Sequence, residues 1–250
     1  MSREELPKAL ATWYDYTKWV LDRVDGFPKN QMIERWLLQR DGASGLCRSP
    51  SGWNFVDAAF PRGLPPGSEP GGVSAVLNWI VVHALVAMEQ LEKAAGEILL
   101  ATRCRAQIDS LIQALIEQSW DASLGLFLDA PANGAISEHA QVLAFLSGQL
   151  PAAQHDCLVQ WLTQDPESDE PGMLRCQAFF THYLIQACGQ SKAKRRIEVA
   201  LEPWWKLSEQ GFTTTPEHFG VTRSDCHAWS AHPILLLLVS KLEPREAVEI

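Results

Sequence analysis

The side chains best suited to chemistry are concentrated in four loop segments of this 250-residue chain. The segments are residues 53–57, 137–141, 211–219 and 223–233. Together they hold carboxylates, imidazoles and indoles. Carboxylates carry out acid–base chemistry and bind neighbouring hydroxyl groups, while aromatic rings pack on the apolar face of a sugar. If the four loops meet at one end of the fold, this combination predicts a carbohydrate site.

Two other kinds of site use the same residue types. His218, His227 and His232, together with Glu217, supply enough ligands for a zinc ion. Their spacing lacks the i, i+4 helical pair of zinc proteases, and Pro233 follows His232 directly, so a metal site is not favoured. A serine hydrolase needs a nucleophile turn of the form G-x-S-x-G, and the sequence has none. We therefore predict no metal and no cofactor.

Helical periodicity predicts the elements that position these loops. Apolar residues recur three and four residues apart along most of the chain, which buries one face of each helix. The predicted helices span residues 4–23, 74–95, 97–118, 137–146, 151–163, 173–188 and 193–210, and a last one begins near 233. Gly148, Gly189 and Gly211 follow three of these helices as C-caps, and Pro151 opens one in its first turn.

The predicted helices are of two kinds, which indicates two layers. Segments 74–95 and 233–242 are apolar on nearly all sides, so neighbours should surround them, whereas 97–118 and 193–210 are apolar on one side. A short extended piece at 120–129 interrupts the pattern, and no segment resembles a parallel-sheet strand. We predict one all-α domain over residues 1–250, with roughly seven to nine helices in an inner and an outer ring.

The loop at 42–72 is long for a compact domain, and long loops of this kind are usually functional. It contains the motif Trp53-Asn-Phe-Val-Asp57. The chain has ten tryptophans, several of them in such loops. Most should belong to the core, but an exposed indole is costly unless it packs or binds a flat, partly apolar ligand such as a sugar ring.

Composition argues against several partners and compartments. The net charge of −9 argues against nucleic acid, and the basic cluster at 192–196 is predicted to be a solvated helix start. We predict no membrane span and no signal peptide, because the apolar runs are short and the N-terminus lacks an apolar core. The six cysteines show no C-x-x-C spacing, which predicts reduced thiols in a cytoplasmic protein.

Several motifs, taken in order, resemble those of family-78 glycoside hydrolases. The stretch 223–233, R-S-D-C-H-A-W-S-A-H-P, follows a Thr-Thr-Thr-Pro-Glu loop and is similar to the C-terminal signature of that family. The segments at 77–85, 137–144 and 179–184 look like the family too, and the resemblance runs from about 53 to 242. It implies an (α/α)6 barrel that hydrolyses terminal α-L-rhamnosides with inversion at the anomeric carbon.

The resemblance also implies roles for individual residues. Glu217 matches the family's general base, the carboxylate that activates water, although a solvated loop carboxylate is the alternative. Pro216 departs from the family, which usually has an aromatic residue there. His227 and Trp229 match binding residues of the signature, with a core imidazole and a packed indole as the alternatives.

The same comparison implies a sugar pocket. Asp57 and Trp53 match the loop that lines the rhamnose pocket, with a helix cap and simple packing as the alternatives. His139 is a further candidate for substrate binding, although a structural role is favoured for His139 and for His182. We expect Asp57, Glu217 and His227 to face one pocket.

The family's general acid lies upstream of every residue matched here, so we expect this chain to lack it and the barrel to be incomplete at its N-terminal side. General acid catalysis contributes roughly 10²–10⁴ in rate, so Glu217 alone predicts low or no activity. In a split enzyme, another polypeptide supplies the missing part, and self-association is predicted to cover the uncovered apolar faces. A catalytically dead sugar-binding module and an interaction module are the alternatives.

Overall fold

The computed structural model describes residues 39–52, 54–131, 134–168, 172–222 and 224–233. The chain divides into two compact units, Met1–Arg40 and Asp41–Ile250, and the description that follows concerns the second. The helix predicted at 4–23, most of the helix predicted from 233, and Trp53 lie outside the described residues.

Helices dominate the described part of the second unit, which confirms the prediction of an all-α fold. Its six α-helices are α1 (Ala75–Ala94), α2 (Ile98–Ser119), α3 (Glu138–Leu146), α4 (Ala152–Thr163), α5 (Thr181–Ser191) and α6 (Lys194–Glu209). Two short strands, β1 (Trp120–Asp121) and β2 (Leu126–Phe127), pair antiparallel in the predicted extended piece, with Trp120 opposite Phe127.

The helices form consecutive hairpins in two layers. Helix α3 packs between α1 and α5, and each of α2, α4 and α6 packs on the helix that precedes it. Residues 138–145 of α3 are all buried, as expected of an inner helix, whereas α6 buries only Arg196, Ile197 and Leu201. The loops that follow α2 and α4 therefore lead to the N-terminal ends of the inner helices α3 and α5, where the motifs at 137–144 and 179–184 lie.

Local capping explains where α1 and α3 begin and where α3 and α5 end. Ser74 and Ser137 are extended N-cap residues, and their hydroxyl oxygens accept from the backbone N–H groups of Leu77 and Ala140, each at 3.4 Å. Gly148, with φ of 64°, follows α3 as predicted. The prediction for Gly189 is wrong, because α5 continues past it to Ser191 and Lys192 adopts the left-handed conformation, with φ of 61°.

Helix α5 begins at Thr181, eight residues later than predicted, because residues 174–177 bond to distant parts of the chain. The backbone N–H of Leu174 donates to the Ile136 carbonyl at 3.0 Å, and the N–H of Cys176 donates to Glu138 Oε2 at 2.8 Å. The N–H of Gln177 donates to Asp57 Oδ2 at 2.8 Å. These bonds replace the i to i−4 bonds that a helix would need.

One residue of the predicted solvated basic cluster is instead part of the core. Arg196 is 1% exposed and lies 4.4 Å above the Trp161 ring. Its guanidinium donates to the Trp161 carbonyl at 2.8 Å and pairs with Glu138 at 3.4 Å. Lys192, Lys194 and Arg195 are exposed, as expected. Arg196 thereby joins α3, α4 and α6, a task that its five donors make possible.

Among the described residues, α1 is the one helix long and apolar enough, by length and composition, to cross a membrane. This finding differs from the prediction that no apolar run reaches the length of a membrane span. About 56% of the apolar window is buried within the fold, where α1 packs on α2 and α3. The packing accounts for the apolar character of α1.

Candidate functional site

Aromatic side chains from three loops meet around Trp229. Phe55 stacks on Trp229 with ring centroids 6.2 Å apart and 13° between planes, and Phe179 lies at 5.5 Å. The His227 imidazole lies 4.2 Å from the same indole. All four residues, called the aromatic cluster below, are half-buried. The motifs at 53–57, 179–184 and 223–233 therefore lie side by side, although they are far apart in the sequence.

Glu217 is attached directly to this cluster. Its carbonyl accepts a 2.8 Å hydrogen bond from the Trp229 indole N–H, and its own N–H donates to the Ser224 carbonyl at 2.9 Å. The Thr222 hydroxyl donates to Glu217 Oε2 at 3.4 Å. These bonds hold the Glu217 backbone in place. Glu217 is half-buried, so its carboxylate is partly accessible to solvent. Such a carboxylate can accept a proton from water.

Hydrogen bonds join the segment that contains Glu217 to the motif at 223–233. The His227 N–H donates to the Thr215 carbonyl at 2.7 Å, and the Ser230 hydroxyl donates to the Pro216 carbonyl. The Trp204 indole on α6 donates to the Ser230 carbonyl at 2.8 Å. Pro216 is buried and its carbonyl is bonded, so the departure from the family's usual aromatic residue is compatible with an ordered loop.

Asp57 is buried and does not reach the surface. It is 0% exposed, and its Oδ2 lies 2.7 Å from His139 Nε2 and accepts from the Gln177 N–H at 2.8 Å. The His139 ring, also 0% exposed, packs between Phe60 and Phe180, at 4.5 and 4.4 Å. The predicted direct contact of Asp57 and His139 with a sugar does not fit this geometry, because neither side chain reaches the surface.

Asp57 is therefore separated by burial from Glu217 and His227, which both contact Trp229. That Glu217 and His227 face one pocket stays a prediction. Trp53 lies outside the described residues. Sequence reasoning did not assign roles to Phe55 and Phe179, although both stand inside motifs that it singled out. It gave no weight to Gln177, which has no motif around it and is recognised only by its contacts.

The imidazoles of His182 and His232 pack edge to face, with ring centroids 5.4 Å apart. His232 Nε2 lies 2.8 Å from the Ala178 carbonyl, so that nitrogen carries the hydrogen. Burial lowers the pKa of His232, which favours the neutral ring. Among the described residues no group of three or more His, Cys, Asp or Glu side chains is arranged to hold a metal ion.

Two solved structures resemble this chain in fold. One is a GH78 family rhamnosidase of Bacillus sp. GL1, with a TM-score of 0.68, 22% identity, and coverage of 84% of this chain and 23% of that one. The other is a rhamnosidase from Klebsiella oxytoca with rhamnose bound, with a TM-score of 0.67, 21% identity, and coverage of 85% and 41%. No protein-family model and no curated protein matches the chain.

These matches assign the fold. The described helices have the all-α arrangement of the helical toroid found in rhamnosidases of family GH78, as the sequence motifs predicted. The chain spans less than half of the length of either solved structure.

Proposed function

We propose that this chain forms part of a glycoside hydrolase of the α-L-rhamnosidase type, in which Glu217 is the general base. The observation that carries the proposal is the attachment of Glu217 to Trp229 through a 2.8 Å hydrogen bond, within a cluster of half-buried rings. The fold that this chain shares with two rhamnosidases supports the same reading.

The aromatic cluster suits a sugar that has both hydroxyl groups and an apolar end. Rhamnose carries a methyl group at its fifth carbon, so its site needs an apolar wall beside polar groups. In this proposal Trp229, with Phe55 and Phe179 packed on it, supplies the wall, and His227 binds hydroxyl groups. Trp53 keeps its predicted role as a further wall.

Glu217 accepts a proton from a water molecule, and the water oxygen attacks the anomeric carbon on the face opposite the leaving oxygen. The anomeric configuration is therefore inverted, and the leaving oxygen must take a proton from a second carboxyl group, which in inverting enzymes lies about 6.5–9.5 Å from the first. Asp57 is unsuited to that role because it is fully buried. We propose that the acid comes from outside residues 41–233.

The leaving group offers a direct test. An aryl rhamnoside whose phenol has a low pKa departs without a proton, so the chain should hydrolyse it slowly and leave natural rhamnosides intact. Glu217→Gln keeps the shape of the side chain and should abolish the slow reaction, whereas Asp225→Asn, a change at an exposed carboxylate of the same loop, should not. Proton NMR of the first sugar released should show inversion.

Glu217 would be the wrong base if Glu217→Gln hydrolysed the aryl substrate as fast as the wild type. The rival proposal, a sugar-binding module without catalysis, is favoured by the burial of Asp57, which leaves Glu217 without an assigned acid. Ligand-observed NMR separates the two. Binding of L-rhamnose in preference to glucose, without hydrolysis of any rhamnoside, would support the module.

A rhamnose-containing glycoside is the proposed partner, and the cytoplasm is the proposed location. Cys104, Cys157, Cys176, Cys188 and Cys226 form no disulfide in the structure, and Cys188 is buried in the core. Burial raises the pKa of Cys188 to about 12, which keeps this thiol protonated and unreactive. Unpaired thiols are the usual state in a reducing compartment.

A further inference from the structure

We propose that Gln177 is a positioning residue that holds the loop of Glu217 on a buried anchor. The inference rests on the proposed function, because it assigns Gln177 a role for that same base. Gln177 bonds in two directions, through its backbone to the core and through its side chain to the loop. In this proposal, Gln177 fixes the position of Glu217 relative to the aromatic cluster.

The core end of this link is fully buried. The Gln177 N–H donates to Asp57 Oδ2 at 2.8 Å, and the same oxygen lies 2.7 Å from His139 Nε2. Asp57 and His139 are both 0% exposed. Two phenyl rings hold the imidazole from either side, with centroids within 4.5 Å. A buried carboxylate with two donors on one oxygen has little freedom to move, so Gln177 starts from a fixed point.

The loop end of the link lies two residues from Glu217. Gln177 Oε1 accepts a 3.3 Å hydrogen bond from the Phe219 N–H. The Phe219 ring packs edge to face on Trp204 of α6, with centroids 4.6 Å apart, so both the backbone and the side chain of Phe219 are held. Trp229 binds the Glu217 carbonyl. Only residues 217–219 therefore lie between that bond and the contacts of Phe219.

Gln177 also stands two residues before Phe179, which packs on Trp229. Its segment therefore supports the base and the ring beside it at once. A general base must be held within about 0.5 Å of its productive place, and a displacement of about 1 Å can lower the rate on the order of 10²-fold. Loss of the Phe219 bond should thus affect turnover more than affinity.

The test uses three substitutions in the full chain. Gln177→Met keeps the length of the side chain and removes the acceptor, and Gln177→Glu restores an acceptor at the same distance. Gln186→Ala, at an exposed glutamine on α5, is the control. On an activated aryl rhamnoside, Gln177→Met should lower kcat about 10- to 100-fold with little change in KM. Gln177→Glu and Gln186→Ala should stay close to the wild type.

A second readout does not depend on activity. Amide hydrogen exchange across residues 211–222 should become faster in Gln177→Met and return to the wild-type rate in Gln177→Glu. If the wild-type chain cleaves no rhamnoside but the exchange pattern is as stated, the proposed function fails and the link between Gln177 and the loop stands.

Three results would overturn the inference. The first is wild-type kcat in Gln177→Met, and the second is an equal loss of kcat in Gln177→Met and Gln177→Glu. The third is unchanged exchange at residues 211–222 in Gln177→Met, since the loop would then be held by other contacts alone.

Discussion

At the residue scale, Asp57 and Glu217 are carboxylates with opposite surroundings. Asp57 is enclosed by the core, where two donors converge on one of its oxygens, and Glu217 stands at the surface beside Trp229. Both lie in loop motifs next to aromatic residues, so the local sequence does not distinguish them. Burial separates them, and it fits a structural role for Asp57 and the proposed role of Glu217 as a base.

We expect Asp57→Ala to destabilise the fold. The change leaves the Gln177 N–H and the His139 Nε2 without their buried acceptor, and each unsatisfied group costs about 1–3 kcal/mol. Urea unfolding should therefore show a loss of about 2–5 kcal/mol. The control Asp225→Ala, at an exposed residue, should leave the free energy of unfolding almost unchanged. A wild-type free energy of unfolding in Asp57→Ala would contradict the structural role assigned to Asp57.

Asp129 should make the protein more stable as the pH falls toward 4. Burial raises the pKa of Asp129 to about 6, although the Ser137 hydroxyl, donating at 2.6 Å, opposes the shift. The folded state therefore binds a proton more tightly than the unfolded state, whose pKa is near 3.8, and stability declines as the pH rises from about 4 to 6.

The substitution Asp129→Asn removes the charge and keeps an acceptor for Ser137. It should raise the free energy of unfolding at pH 7 by about 1–3 kcal/mol and remove this part of the pH dependence. Chemical unfolding at pH 4.5 and 7 measures both effects. Equal stability of the two proteins at both pH values would contradict the assigned cause, which is the burial of a charged carboxylate.

At the element scale, buried charges connect the helices. Arg196 joins α6 to the Glu138 carboxylate of α3 and to the Trp161 carbonyl of α4. Glu89 of α1 similarly bonds to Arg105 of α2 and to Lys93 one turn away. These contacts fix the positions of the helices relative to one another, and the helix ends in turn carry the loops of the candidate site.

The contribution of the Glu89 ion pairs to the free energy of unfolding should fall in acid. Arg105, and after it Lys93, lowers the pKa of Glu89 from 4.5 to about 2. A folded pKa below the unfolded value means that the contribution is complete above about pH 4.5 and is lost as the pH falls toward 2. Because Arg105 and Lys93 are 36% and 59% exposed, solvent screens the contacts, and we expect only about 1 kcal/mol.

Unfolding of Glu89→Gln tests this expectation. The variant should be less stable than the wild type at pH 7, and the two curves should converge between pH 4 and 2. Glu209→Gln, at the exposed end of α6, should follow the wild type throughout. A constant difference between Glu89→Gln and the wild type across this range would exclude titration of Glu89 as the cause.

At the scale of the whole molecule, an apolar patch lies at the turn between α1 and α2. Leu91, Ile98 and Leu99 are 43%, 63% and 82% exposed. Exposed apolar side chains that stand together favour association, whereas isolated ones are common on monomers. The homo-oligomer stays a prediction, and this patch offers a place to test it.

We expect a dimer or larger assembly in size-exclusion chromatography with light scattering at micromolar concentration. Leu99→Glu should move the equilibrium toward the monomer by placing a charge in the patch. The matched change Val221→Glu, at a fully exposed valine in another loop, should leave the mass unchanged. A wild-type monomer at all concentrations would contradict self-association through this patch.

Local patterns in the sequence were sufficient to locate most helices and the loops between them. Helices α1, α2, α3, α4 and α6 begin and end within about two residues of the prediction, because apolar spacing, serine caps and left-handed glycines act over a few residues. The motif order indicated the fold as well, and the loops around Phe55, Phe179 and Trp229 do meet.

Contacts between distant residues decided the rest. The Asp57–His139 bond joins residues 82 apart in the sequence, and the Asp57–Gln177 bond joins residues 120 apart. They determine which carboxylate is buried, where α5 begins and what holds the loop of Glu217. A buried polar group must find a partner wherever the folded chain provides one, and no spacing along the sequence specifies that partner in advance.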